Sequence, residues 1–380
     1  MYLGDRYLKS SVTNDLAEKM VFIGGPRQVG KTTFALSFLS PPSKDNPAYL
    51  NWDIPQHRRV ISKSDFPAKE PLLVLDEIHK YARWRGVVKG FYDAYFPKRN
   101  LLVTGSARLD HYRKGGDSLV GRYHYMRLHP YTLSEVSSTP SATDVETLLA
   151  YGGFPEPLVK QSPTFHRRWR RERHSRILRE DLRDLETVKE ISLLEALLDA
   201  LPERVGSPLS VRSLVEDLQV AHDTVSRWLT LLENVYLTFR VAPYGVSRIR
   251  AVKKEQKLYL WDWSSAETPG AQFENLVASH LLKYCHFLED TQGHRMELRY
   301  LRDRNGREID FVVLKEKKPV FAVECKTSDS AVSPHVFYFA ERTPIPKFYQ
   351  VHLGTTDVEK DGGRIRVLPF RHLCSELALV

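Results

Sequence analysis

The stretch Gly25-Pro26-Arg27-Gln28-Val29-Gly30-Lys31-Thr32-Thr33 has the spacing of a phosphate-binding loop. Such a loop needs glycines where backbone amides turn toward an anion. It also needs a lysine that reaches the β and γ phosphates and a hydroxyl for Mg2+. Read so, Lys31 and Thr32 hold ATP and Mg2+; the plain alternative is a glycine-rich turn. Asp76-Glu77 follows the apolar run Leu72-Leu73-Val74-Leu75. Asp76 is expected to hold Mg2+ through water, and Glu77 to orient or deprotonate the attacking water. A carboxylate there favours hydrolysis over transfer to a substrate hydroxyl; the alternative is a pair of acids that caps a strand. Thr104 and Ser106 end the run Leu102-Val103. In a parallel sheet they share an edge with the loop, where they are expected to sense the γ-phosphate.

A second set of acids lies near the C-terminus. Asp310 sits in Ile309-Asp310-Phe311-Val312-Val313, and Glu324-Cys325-Lys326 closes the run Phe321-Ala322-Val323. Alternation puts Glu324 and Lys326 on one strand face. Glu274 belongs to a preceding helical stretch. Two carboxylates with a lysine suit Mg2+-assisted phosphodiester cleavage. The alternative is strand-end carboxylates paired with Arg304, Arg307 or Lys326.

Between these sets, residues 209–232 read LSVRSLVEDLQVAHDTVSRWLTLL. The pattern predicts a short helix capped by Ser210, a turn around Gln219, and a second helix from His222. Val225, Trp228, Leu229 and Leu232 fall on one apolar face. His222, Thr224, Ser226 and Arg227 stay outside near the helix start, where a recognition helix places groove contacts. Two strand-like stretches follow, residues 236–243 and 257–261. Between them Arg248, Arg250, Lys253 and Lys254 form a candidate basic wing. Residues 166–174 (HRRWRRERH) put arginines on most faces of a helix. Phosphate contact is one reading; a solvated helix pairing with Glu172, Glu180 and Asp181 is the other.

The elements that must hold these residues are legible in outline. Short apolar runs at residues 20–23, 48–52, 71–75, 101–104 and 123–128 alternate with helical stretches, which implies a three-layer α/β unit with a parallel sheet. After residue 150 the pattern turns helical. Pro202, Gly206 and Pro208 mark a linker, and a separate α/β unit begins near residue 264. With 380 residues the chain is too long for one ordinary core. No apolar run approaches the roughly 18 residues of a membrane span, and the start MYLGDRYLKSS has no apolar signal core. The cysteines Cys285, Cys325 and Cys374 are too far apart for a disulfide framework or a metal cluster. A reduced, cytoplasmic protein with no membrane partner is expected. Lys plus Arg exceed Asp plus Glu by 56 to 47. That excess is compatible with nucleic acid, but many basic proteins bind none.

The phosphate loop, Asp76-Glu77-Ile78, Thr104-Gly105-Ser106, Ser118-Leu119-Val120-Gly121-Arg122 and Gly152-Gly153-Phe154-Pro155-Glu156-Pro157 together resemble a widespread prokaryotic group of AAA+ ATPases. That group carries a C-terminal domain long described as of unknown function. The resemblance implies a AAA+ core over residues 1–150, a helical lid over 151–205 and assembly into a homo-oligomeric ring, expected as a hexamer. It implies that Arg122 is an arginine finger reaching a neighbour's nucleotide; otherwise it is a surface arginine. Residues 206–263 are similar to a winged helix. Residues 264–380 resemble the PD-(D/E)XK nuclease superfamily, with Asp310 as first acid, Glu324 and Lys326 as the E-x-K pair, and Glu274 as the helix acid. The expected function is an ATP-hydrolysing motor that translocates on or remodels duplex or branched DNA, in repair or recombination. An ATP-gated metal-dependent nuclease and a regulatory ATPase that binds an operator or a protein are the alternatives.

Overall fold

A computed structural model describes residues 4–67, 69–105, 119–178, 191–245 and 256–380. Five strands, β1 (Met20–Gly24), β2 (Tyr49–Asn51), β3 (Leu72–Asp76), β4 (Asn100–Gly105) and β5 (Tyr123–Arg127), form one parallel sheet in the order β2-β3-β4-β1-β5. Their side chains alternate between two apolar layers. Val21, Ile23, Val74 and Leu102 pack with Val12 and Phe34 from the helices Lys9–Leu16 and Lys31–Leu36. Phe22, Leu73, Leu75 and Val103 pack with Ile61, Trp84 and Phe91 from the helices Pro55–Lys63 and Trp84–Tyr95. Burial on both faces is why these strands read as continuous apolar runs. Each fully buried Val, Leu or Phe contributes about 1.5–3 kcal/mol. The expected three-layer α/β unit is present, and its crossovers bring every strand's carboxyl end to one edge.

Helices Ala142–Tyr151, Pro155–Lys160, Pro163–Arg176 and Ile191–Ala200 follow. Helix Pro163–Arg176 buries His166, Trp169 and Arg173 as one stripe and exposes Arg167, Arg168 and Arg171. Glu172 faces Arg176 at 3.8 Å on the exposed side, while Glu180 and Asp181 lie outside the described residues. The next helices are Val211–Leu218, capped by Ser210, and His222–Asn234, separated at Gln219 in the left-handed conformation.

The hairpin β6 (Thr238–Pro243) and β7 (Lys257–Leu260) does not stand apart. β6 runs parallel to β8 (Met296–Arg302), pairing Ala242 with Arg299 and Pro243 with Tyr300. Beyond β8 lie β9 (Glu308–Lys315), β10 (Lys318–Cys325), β11 (Phe348–His352), β12 (Val358–Lys360) and β13 (Ile365–Pro369). All join one eight-stranded sheet in the order β12-β13-β11-β10-β9-β8-β6-β7. Pairing satisfies an edge that would otherwise lie open. The core is continuous too: Trp228, Tyr259 and Trp261 share one apolar cluster with Phe273, Leu276 and Phe311. The boundary expected between residues 263 and 264 is therefore crossed by both a sheet and a core. The basic positions Arg248, Arg250, Lys253 and Lys254 lie outside the described residues.

The 24-residue helix Pro269–Gln292 ties the two sheets together. Arg127 of β5 meets Asp290 and Glu289 on it, and His129 meets His286 at 2.8 Å. Lys283, from the middle of the same helix, forms a buried ion pair with Glu135, which also accepts from Arg6 at 2.9 Å.

Candidate active site

The phosphate loop leaves β1 at the carboxyl edge of the first sheet. A Cβ at Gly25 would stand 2.3 Å from the Leu128 carbonyl oxygen, so the turn there admits only glycine. Gly30, at φ +96°, opens the helix Lys31–Leu36. The Lys31 ammonium is buried and donates to the carbonyls of Gly25 (2.9 Å) and Pro26 (2.8 Å). It thus sits within the loop, at the place where phosphate oxygens would take over as acceptors. Arg6 braces the loop from behind by donating to the Val29 carbonyl at 3.0 Å.

Asp76 is fully buried at the end of β3. It accepts from the Thr32 hydroxyl at 2.8 Å, the Tyr49 hydroxyl at 2.7 Å, the Asn51 amide at 3.1 Å and the Thr104 hydroxyl. These donors replace the water that a buried carboxylate has lost. Burial and the neighbouring Asp76 both push the Tyr49 phenol up, so it stays protonated as a donor. Thr32 and Asp76 in contact are the donor set Mg2+ requires, and with Lys31 they fit a metal–triphosphate. Glu77 follows in the left-handed conformation, φ 55°, with His79 at 3.7 Å and Lys80 at 3.6 Å. A non-glycine residue held there stores about 1 kcal/mol or more of strain. Its side chain stays largely shielded from solvent.

Ser106 lies outside the described residues. Arg122 lies elsewhere: it immediately precedes β5, and its carbonyl accepts from Met20 at the amino edge of the sheet. Its guanidinium meets Asp93 at 2.9 Å and is partly exposed. Five strand residues, about 16 Å, separate it from its own loop. His222 and Arg227 are exposed at the start of their helix, with Thr224 and Ser226 half-buried beside them.

The C-terminal acids do converge, but on an unforeseen partner. Lys257, at the head of β7, is buried with its Nζ 3.0 Å from Glu274, 2.6 Å from Glu308 and 3.2 Å from Asp310. Glu324 pairs with Lys326 at 2.7 Å, and Arg307 pairs with Asp303 instead. Both shifts at this contact run upward, which favours the charged lysine and disfavours the charged acid. Burial lowers Lys257, but Asp310, Glu274 and Glu308 outweigh it and raise the ammonium. Glu274 is raised to about 7 because burial and Asp310 outweigh the lysine. One ammonium shared by three acids stays charged, and the acids remain under-compensated. Among the described residues no group of three or more His, Cys, Asp or Glu is arranged to hold a metal ion. The C-terminal acids therefore do not fit a metal as they stand.

Pattern reading missed Tyr49, Asn51, Glu308 and Lys257. Only Lys257 left a trace: a charged residue heading the apolar run Leu258-Tyr259-Leu260-Trp261.

Residues 17–137 match the model described as an AAA domain. The chain carries an AAA-type ATPase domain. Behind it, residues 142–268 and 269–373 match two models each described as a domain of unknown function (DUF8612 and DUF4143). An uncharacterized protein of Haemophilus influenzae is 21% identical over 82% of this chain and 83% of its own length. One from Methanocaldococcus jannaschii is 23% identical over 81% and 75%. One from Mycobacterium tuberculosis is 25% identical over 64% and 54%. Among solved structures, the Holliday junction branch migration motor RuvB of Thermotoga maritima is 15% identical. It covers 67% of this chain and 96% of that chain, with a TM-score of 0.32. No helix among the described residues is long and apolar enough to cross a membrane.

Proposed function

We propose that this chain hydrolyses Mg2+-bound ATP and uses the cycle to move its helical and C-terminal elements on duplex or branched DNA. One observation carries the ATPase part: Lys31, Thr32, Asp76 and Thr104 meet at one sheet edge with Glu77 beside them. Mg2+ would supply charge neutralisation between the β and γ phosphates. Lys31 holds the phosphates. Asp76 and Thr32 hold the metal side. Glu77 orients water and takes its proton. Arg122 lies too far from its own loop to act there, which supports a role at the nucleotide of a second copy.

The DNA part rests on surface charge. The exposed His222 and Arg227 at a helix start, the exposed Arg167, Arg168 and Arg171, and the net charge of +9 support it. The test is ATPase activity across single-stranded, duplex, forked and four-way DNA. Stimulation by at least one form is expected. Hydrolysis indifferent to every form would remove DNA from the reading, and absence of hydrolysis would remove the ATPase itself. Metal-dependent cleavage of DNA is the second reading. The helix Pro269–Gln292, the meander β8-β9-β10 and the parallel β11 favour it by converging Glu274, Asp310 and Glu324. The buried Lys257 speaks against it.

A further inference from the structure

We infer that the Lys257 ammonium stands in for a cation at the C-terminal carboxylate cluster, so that lysine and divalent metal exclude each other there. The ammonium has three N–H donors, and a carboxylate oxygen of Glu274, Glu308 or Asp310 lies 2.6–3.2 Å away for each. Its side chain is 1% exposed, so no water competes for those donors. The oxygens stand at hydrogen-bond range. Mg2+ draws its oxygens in to about 2.0–2.1 Å, so ion and ammonium cannot share the space.

The acids are oriented by groups other than the lysine. Tyr259 donates to Glu274 at 2.7 Å, and the Cys325 N–H donates to Asp310 at 2.8 Å. A Cβ at Gly206, which has φ +77°, would stand 3.0 Å from the Glu274 carboxylate, so the linker closes over that acid. The cluster is thus built as a cation cradle independently of what fills it. The lysine is clamped in turn. It pairs with Val241 across the hairpin and bridges to Pro208 on its other side. The neighbouring Leu209 N–H donates to Gln256 at 2.9 Å. Three carboxylates against one ammonium leave negative charge over, which a divalent ion would match better. Removing one member of a buried ion cluster strands the others without compensation.

The test uses the full chain without nucleotide or DNA, so it stands apart from the ATPase and motor reading. Thermal unfolding of wild type and Lys257→Met is followed in EDTA and in millimolar MnCl2, with Mn2+ titration calorimetry alongside. Wild type is expected to be indifferent to Mn2+ at this cluster. Lys257→Met is expected to unfold about 5 °C lower in EDTA. It should regain most of that with Mn2+, and Lys257→Met with Asp310→Asn should lose the recovery. If Lys257→Met does not fold, Lys257→Met with Glu308→Gln carries less stranded charge and should still take up Mn2+. A folded Lys257 variant without Asp310-dependent Mn2+ binding overturns the inference. So does Asp310-dependent Mn2+ binding by wild type.

Discussion

Replacing Glu135 by Gln is the sharpest probe of how the first sheet is held to the rest. Glu135 is almost fully buried between Arg6, which also grips the Val29 carbonyl of the phosphate loop, and Lys283 of the long helix. Burial alone pushes its carboxyl up. Arg6 and Lys283, with the Tyr7 N–H, outweigh that and hold it at about 2 against an ordinary 4.5. That difference corresponds to about 3 kcal/mol, within the ~3–5 kcal/mol expected when one partner of a buried pair is removed. At Lys283 the balance runs the other way: burial outweighs Glu135 and brings the ammonium down to about 7. The Glu135 carboxylate meets two cations and a backbone N–H, whereas Lys283 meets one acid, so the acid sets the magnitude. Glu135→Gln is expected to lower Tm by about 4 °C. Lys283→Met in the same chain should return part of the loss by removing the stranded cation. Because the folded value is depressed, the stabilisation is full above the unfolded pKa and lost as pH falls toward the folded one. The gap between wild type and variant should therefore be widest above about pH 5 and close toward about pH 2. Scanning calorimetry across that range decides it. A Tm change below about 2 °C at neutral pH, or a gap that widens in acid, would refute the reasoning.

Further outcomes concern the nucleotide site. Lys31→Ala should abolish ATP binding, while Glu77→Gln should bind ATP normally and hydrolyse it about 10²–10⁴-fold more slowly; binding titrations and phosphate release measure the two. Tyr49→Phe removes a charge-directed hydrogen bond to Asp76 and should cost about 1.5–3 kcal/mol of stability. It should also weaken ATP binding in Mg2+ more than in EDTA, as calorimetry in both conditions would reveal. Arg122→Ala should reduce turnover by about a thousandfold. Mixed with inactive Glu77→Gln, it should recover activity, because one junction between copies then holds both groups; no recovery on mixing would return Arg122 to the surface.

The parts of this molecule visible in its sequence are those whose chemistry is local along the chain. The phosphate loop, Asp76 and the strand alternation of the first sheet depend on neighbours a few residues away, so pattern exposes them. The helix pair Val211–Leu218 and His222–Asn234 was legible for the same reason: a cap, a turn and an apolar stripe. Tyr49 and Asn51 were not, because only the parallel register of β2 on β3 aims them at Asp76. Lys257 was hidden further. It lies 17 residues from Glu274 and 53 from Asp310, and only the joining of β6 to β8 brings it there. The buried Arg6–Glu135–Lys283 chain spans even longer separations. Each member alone looks like an ordinary surface charge.

The border between the two C-terminal family matches, at residues 268 and 269, falls between the ammonium of Lys257 and the acids that receive it. Evolution often recombines proteins at such borders. Here a swap would hand one lineage an unanswered lysine and another a nest of repelling carboxylates. The two stretches are physically coupled: losing Lys257 would strand Glu274, Glu308 and Asp310, and losing those acids would strand the lysine.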